Sequence, residues 1–315
     1  MDLVDTHCHI HEASRSLANG NATHGLWVKA DDPNPDHIIS RAAAAGVHTM
    51  ICVGTTLADS KRAVQFVQNR PMCFASVGLH PHEAKDYADA PQKLTQFASL
   101  LAQANGANVW SSLSVSSPDG PVPRHHAQRL RPAGAPEAVP ATGRSGAKKI
   151  VAVGECGLDY FYSHSPKKQQ EQILRFQIEL ALQYDMPVIF HVREAFDDFW
   201  RIFDSYRAIR GVIHSFTATY DVLEQILQRD LYVGLNGIMT FTRDTAQLDA
   251  AKAVPLSRML LETDAPFLTP APHRGKICEP RHVRVTAEFL AGLCNVSLET
   301  LAAATTKNAH DLFNF

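Results

Sequence analysis

The 315-residue sequence predicts an α/β protein folded as a (β/α)₈ TIM barrel, and three observations carry that expectation. Short apolar runs recur about eight times, helix-length amphipathic stretches separate them, and no glycine-rich phosphate loop follows the first run to favour an open doubly wound sheet. The runs are residues 3–4, 49–53, 73–77, 150–153, 187–190, 211–213, 231–235 and 259–261. Most are β-branched or aromatic and closed by Gly, His or Asp, the pattern of buried parallel strands.

The intervening segments carry helix signals in their turn. Residues 35–46 place Pro35 at the start and Gly46 at the end of an alanine-rich helix. Ser165-Pro166 opens another, which runs through Gln172, Leu174, Phe176 and Leu180 toward Tyr184, and residues 221–229 and 297–304 read the same way. One stretch departs from this rhythm. From about residue 105 to 148, before the fourth strand, the chain turns rich in Pro, Gly, Ser, Ala and Arg and loses apolar periodicity. Such a segment cannot bury enough surface to offset its ordering entropy, so a flexible, disordered insertion is expected within one barrel spanning residues 1–315. Its Arg124, Arg129 and Arg131 read as surface charge, and His125-His126 as exposed side chains rather than ligands.

A 45% hydrophobic composition supports a large core, and a formal net charge of −2 provides no global positive field for nucleic acid. The six cysteines (Cys8, Cys52, Cys73, Cys156, Cys278 and Cys294) are scattered, with no CxxC pair, as expected of reduced thiols in an intracellular protein. No basic leader with an apolar follow-on is present, and no run is long enough to span a membrane. The expected location is the cytoplasm, with the nucleus as the alternative; oligomeric state is left open.

The chemistry lies where the runs end. His7 and His9 close the first run, His80 and His82 the third, Glu155 the fourth, His191 the fifth, His214 the sixth and Asp264 the eighth. In a barrel of parallel strands those ends share one rim, where active sites sit. Alternation along a strand would point Asp5, His7 and His9 the same way, so that two imidazoles could grip one ion. A lone HxH pair has bland explanations, His191 or His214 taken singly would more often be a structural histidine, and Asp264 could simply cap the following turn; the set of strand ends raises the metal reading above them. The ligand inventory is His7, His9, Glu155, His191, His214 and Asp264, too many for one tetrahedral ion and suited to two with Glu155 as a bridge. Zn, Mn, Co and Fe suit imidazoles with carboxylates, and Mg suits a carboxylate-rich, hydrated variant.

Taken together, Asp5-Thr6-His7-Cys8-His9, Gly78-Leu79-His80-Pro81-His82, Gly154-Glu155-Cys156-Gly157-Leu158-Asp159, His191-Val192-Arg193, His214-Ser215-Phe216-Thr217 and Glu262-Thr263-Asp264-Ala265-Pro266 resemble the motifs of the TatD-like metal-dependent deoxyribonucleases, within the amidohydrolase-like barrel superfamily. The resemblance covers nearly the whole chain apart from the insertion. It implies two divalent ions, Mg²⁺ for activity with Zn²⁺ or Mn²⁺ as alternatives. His7, His9, Glu155 and Asp264 would surround one, and Glu155, His191 and His214 the other. It also implies a DNA substrate, single-stranded or at 3′ ends, hydrolysed 3′→5′ by a metal-activated water. Asp264 and Glu155 then act in catalysis, and His80 and His82 lie beside the substrate phosphate. Arg193 is a further phosphate contact or else a structural ion pair, and Arg274 belongs to a late Arg-Gly-Lys loop of the same kind. There Cys278 stands where the family has Asn, which puts that amide's contact in doubt. Ester or amide hydrolysis, such as D-aminoacyl-tRNA deacylation, uses the same activated water and is the alternative activity. A non-catalytic nucleic-acid-binding barrel is the alternative from another class, against which the complete ligand set argues.

Overall fold

A computed structural model of the chain describes residues 1–15, 21–104 and 148–315. Eight parallel strands follow one another in sequence order: β1 (Leu3–Cys8), β2 (Val47–Val53), β3 (Cys73–Val77), β4 (Ile150–Asp159), β5 (Val188–Arg193), β6 (Gly211–Ile213), β7 (Tyr232–Leu235) and β8 (Met259–Leu261). The first and last strands meet just beyond the end of β8. There Asp264 N–H donates to the His7 carbonyl at 2.8 Å, His9 N–H donates to that of Ala265 at 2.8 Å, and Cys8 pairs with Ala265 in a parallel bridge. The predicted TIM barrel is the fold observed.

The helices are α1 (Ala22–Trp27), α2 (Pro35–Ala44), α3 (Leu57–Val67), α4 (Pro91–Ala104), α5 (Lys167–Gln183), α6 (Phe196–Phe203), α7 (Tyr220–Gln228), α8 (Thr245–Ala253), α9 (Val283–Leu293) and α10 (Leu298–Phe313). Side chains at several starts accept the otherwise unpaired backbone N–H groups: Asn34 for α2, Thr56 for α3, Asp244 for α8 and Ser297 for α10. The last helix runs well past the expected 297–304, because Thr305, Asn308, Ala309 and Leu312 continue its buried face. Strands β1, β4 and β5 also outrun their apolar stretches. Their final turns carry His7, Glu155, Asp159 and His191, which pair with one another, so the strand persists where hydrophobicity stops.

Two apolar clusters hold this frame. The larger lies between strands and helices and contains Trp27, Phe97, Phe190 and Phe199. The smaller draws Val4, Ile51, Phe74, Val151, Ile189, Val212 and Leu260 from seven of the strands and joins them to Leu312 and Phe313 of α10. It fills the barrel beneath the polar rim, as layered side chains do in this fold. No single helix among the described residues is long and apolar enough to cross a membrane. The expected insertion, with Arg124, Arg129, Arg131 and His125-His126, lies outside the described residues save for Lys148.

Candidate metal centre

Each ligand candidate is set in place by local backbone chemistry. His7 is wholly buried on β1, and neither of its ring nitrogens has a hydrogen-bond partner among the described residues. Its Nε2 stands 3.3 Å from Glu155 Oε2 and 3.6 Å from Asp264 Oδ1, and its ring stacks on that of His214 at 3.6 Å. His9 lies one residue beyond β1, at the start of a 3₁₀ turn over Ile10–Ser14. Its Nδ1–H donates to the Val53 carbonyl at 2.9 Å, which leaves the Nε2 lone pair facing Asp264 Oδ1 at 3.4 Å. His214 sits between two carboxylates: Nδ1 lies 3.0 Å from Glu262 Oε1, off the hydrogen-bond direction, and Nε2 lies 3.6 Å from Glu155 Oε1.

Glu155 is the hub. The pairing of β4 with β5 shifts register between Gly154 and Cys156, and this irregularity coincides with the carboxylate's entry into the rim. Close contact of the two strands there depends on Gly157, whose φ is +156° and whose added β-carbon would stand 1.8 Å from the His191 carbonyl oxygen. The two oxygens of Glu155 serve different neighbours. Oε2 faces His7, while Oε1 faces His191 Nδ1 at 2.8 Å, His80 Nε2 at 3.5 Å and His214 Nε2 at 3.6 Å.

Electrostatics sorts these groups. Burial alone would raise Glu155 and Asp264, yet the surrounding imidazoles hold both carboxyls below their usual range, Glu155 well below it. Burial and the neighbouring His214 lower His7. Burial also works against the charged forms of His9 and His214, but carboxylates override it and lift them to about 9 and about 10. Nε2 of His7 and His9 points at carboxylate oxygens, acceptor against acceptor unless a proton or a metal ion intervenes. Donors of this type, together with His7's two unpartnered nitrogens, fit a divalent cation.

His80 is different. It lies as close to Glu155 as His214 does, but its Nδ1 accepts the His82 backbone N–H at 3.2 Å. The ring proton is then on Nε2, which makes His80 a hydrogen-bond donor toward the centre rather than a ligand. Burial pushes its pKa down to about 4 and keeps it neutral. His191 and His82 share one partner: Nε2 of each lies 3.0 Å from Asp159 Oδ2.

A family model described as TatD related DNase matches residues 4–314. The chain belongs to this family. It is 31% identical over 316 residues to the uncharacterized metal-dependent hydrolase YcfH of Escherichia coli K12, a match covering 100% of this chain and 96% of that protein. It is 28% identical over 301 residues to the 3′-5′ ssDNA/RNA exonuclease TatD of Citrobacter rodentium, covering 93% and 95% of the two chains. The crystal structure of the TatD homologue YJJV of Escherichia coli superposes with a TM-score of 0.74 at 25% identity, over 99% of this chain and 98% of that one. The chain is thus a TatD-family metal-dependent hydrolase.

In this member of the TatD family the rim brings together His7, His9, His80, His82, Glu155, His191, His214 and Asp264. Asp5 does not join them, contrary to the same-face expectation. The β1–β2 pairing shifts register after Asp5, and its buried carboxylate instead accepts Thr263 N–H at 2.9 Å and Thr263 Oγ1–H at 2.6 Å. Neither expected arginine meets a carboxylate among the described residues. Arg193 lies over the Phe161 and Tyr162 rings at 4.1 and 4.8 Å, and Arg274 lies over Phe241 at 3.8 Å while donating to the Thr269 carbonyl. Cys278, in the position where Asn is usual, is buried with its thiol toward the Glu279 carbonyl, and burial pushes its pKa well up. Glu279 is held by Arg41 at 2.9 and 3.1 Å and caps the turn before α9, a structural role.

Two site residues escaped sequence reasoning, although both stood inside the motifs. Asp159 orients His82 and His191, and Glu262 backs His214 while accepting Ser215 N–H at 2.6 Å. An additional acid inside a strand-end motif was the available signal. Buried glutamines on α5 complete the support: Gln177 clamps both backbone groups of Leu79, and Gln170 those of Asp159.

Proposed function

We propose that the chain is a deoxyribonuclease that removes nucleotides from the 3′ ends of single-stranded DNA by hydrolysis of the phosphodiester bond. The observation that carries this reading is the division of Glu155, one oxygen facing His7 and the other facing His191, His80 and His214. A carboxylate so placed would be shared between two cations, and His7, His9 and Asp264 would hold one and His191 and His214 the other. Two divalent ions, Mg²⁺ foremost and Mn²⁺ or Zn²⁺ as substitutes, would polarise the phosphoryl oxygens and make water more acidic. The relative named as a 3′-5′ ssDNA/RNA exonuclease supports the choice of substrate and polarity.

The protein groups divide the remaining work. Asp264, partly exposed and held ionised by His9, His214 and His7, orients the attacking water and accepts its proton. His80 donates its Nε2 proton to a non-bridging phosphate oxygen. His82, fixed by Asp159, stands beside it at a ring distance of 4.3 Å to hold the phosphate or the departing oxygen. Arg193 and Arg274, without an acidic partner among the described residues, supply further phosphate contacts.

The test is Glu155→Ala, assayed on single-stranded DNA, RNA and D-aminoacyl-tRNA with Mg²⁺, Mn²⁺ and Zn²⁺. A fall in DNA cleavage of at least about 10³-fold with an unchanged circular dichroism spectrum is expected, on the scale of losing transition-state electrostatics. Undiminished nuclease activity in that variant would sink the mechanism. Wild-type turnover of D-aminoacyl-tRNA but not of DNA would establish the deacylase reading.

A further inference from the structure

Beside the metal centre lies a feature that hydrolysis itself does not use. Phe161 and Tyr162 follow directly from β4 and are 51% and 50% exposed, the only adjacent pair among the large exposed apolar side chains of the described residues. Their rings meet edge to face at 4.8 Å, and Arg193 lies over both without any acidic partner among the described residues. Core packing does not explain two half-exposed aromatics, and an ion pair does not explain the arginine.

Their placement gives them a purpose. The Tyr162 ring is 5.5 Å from that of His82, which is 6.3 Å from that of His191, so the pair borders the centre at a distance of one side chain. The position is rigid as well as close. Asp159 Oδ1 accepts the Tyr162 backbone N–H at 2.9 Å, while Oδ2 of the same carboxylate holds His82 and His191. Ser163 Oγ–H then closes the turn on the Tyr160 carbonyl at 3.1 Å. One acid thus locks the aromatic pair to His82 and His191.

We infer that Phe161, Tyr162 and Arg193 form a nucleobase subsite, where a base of the single strand next to the scissile phosphate stacks on the rings and Arg193 meets its backbone phosphate. Aromatic faces accept any base, and an uncompensated guanidinium complements a phosphodiester, so the subsite grips single strands with little regard to sequence. A paired base, stacked within a duplex, is denied to it. The inference rests on the nucleic-acid substrate of the preceding section and deepens it.

The experiment separates the two. Binding of 5′-fluorescein-labelled oligothymidylate is compared by anisotropy, in EDTA to prevent hydrolysis, with that of a tetrahydrofuran abasic phosphodiester of the same length and label. Wild-type protein is expected to bind the abasic chain roughly 5- to 100-fold more weakly, the range for losing base–aromatic stacking. The F161A/Y162A double variant should bind both equally, and F161Y/Y162F should restore the preference. Equal wild-type binding of the two chains would overturn the subsite, as would a base preference that survives in F161A/Y162A. The wild-type comparison needs no variant to fold. Base-dependent binding without Mg²⁺-dependent cleavage of any oligonucleotide would refute the nuclease and leave the subsite standing; cleavage without base dependence would do the reverse.

Discussion

Glu262→Gln tests whether the centre is tuned from behind its ligands. Glu262 is buried, with Oε1 set 3.0 Å from His214 Nδ1 and accepting Ser215 N–H at 2.6 Å, while its carboxylate packs against Gly234. The amide keeps the size and an acceptor oxygen for Ser215 but removes the negative charge behind the imidazole. Glu262 acts on His214 as a buried charge 3.0 Å away rather than through an aligned hydrogen bond, and its loss removes roughly 1–2 kcal/mol of support from the imidazole. Converted, that is a weakening of metal affinity by about 5- to 30-fold, overlapping the roughly 10- to 100-fold range for residues that orient metal-bound histidines. The assay is hydrolysis rate against Mn²⁺ or Mg²⁺ concentration, with calorimetric titration of the metal alone. Half-activation should move to higher metal while the maximal rate changes much less. An unchanged metal requirement, with the fold intact, would refute the assignment of His214 as a ligand backed by Glu262.

Three other outcomes follow from the geometry. Gly157→Ala sets a β-carbon against the His191 carbonyl at 1.8 Å with φ at +156°, and should lower stability in urea titration by about 3 kcal/mol or more as β4 and β5 separate. His282 is buried beside Glu279, and burial followed by the nearby cations lowers its pKa to about 4. Its depressed folded-state value means that the unfolded chain takes up the proton first. This contribution is therefore fully present above about pH 6.5 and lost as pH falls toward 4, by roughly 2–4 kcal/mol. His282→Asn should flatten that part of the stability–pH curve, and an unchanged slope would exclude His282 as its source. Removal of metal with EDTA should lower the melting temperature, since metal at 100 times its dissociation constant adds about 2.7 kcal/mol. Restoration by Mg²⁺, Mn²⁺ or Zn²⁺ should fail in His7→Ala.

The sequence made the barrel legible because each strand carries a short apolar run, and the polar ends of most runs mark the rim where the candidate metal centre lies. The six ligand candidates followed from that placement. What it did not convey were relationships set by neighbouring strands. Same-face alternation assigns Asp5 to the imidazoles, but a register shift between β1 and β2 turns it to Thr263. Asp159 was visible as a letter, yet its double role depends on β4 running five residues past Gly154, which apolar content alone does not show. Arg193 is directed by rings on another strand's loop, a partner no local pattern names.

Hydrogen bonding, more than residue type, divides the labour among the histidines. His9 donates its Nδ1–H to the Val53 carbonyl and turns Nε2 toward Asp264, whereas His80 accepts a backbone N–H on Nδ1 and presents a protonated Nε2. The two side chains face the same cluster with opposite chemistry, one suited to a cation and one to an anion. Backbone groups enforce the difference: the rigid Val53 carbonyl at the end of β2 and the N–H of His82 in the turn after β3. Exchange of either histidine for another imidazole-sized side chain cannot reproduce that polarity unless the backbone contact survives. The barrel rim therefore does more than collect ligands, because its strand ends also fix which nitrogen each ring offers to the reaction.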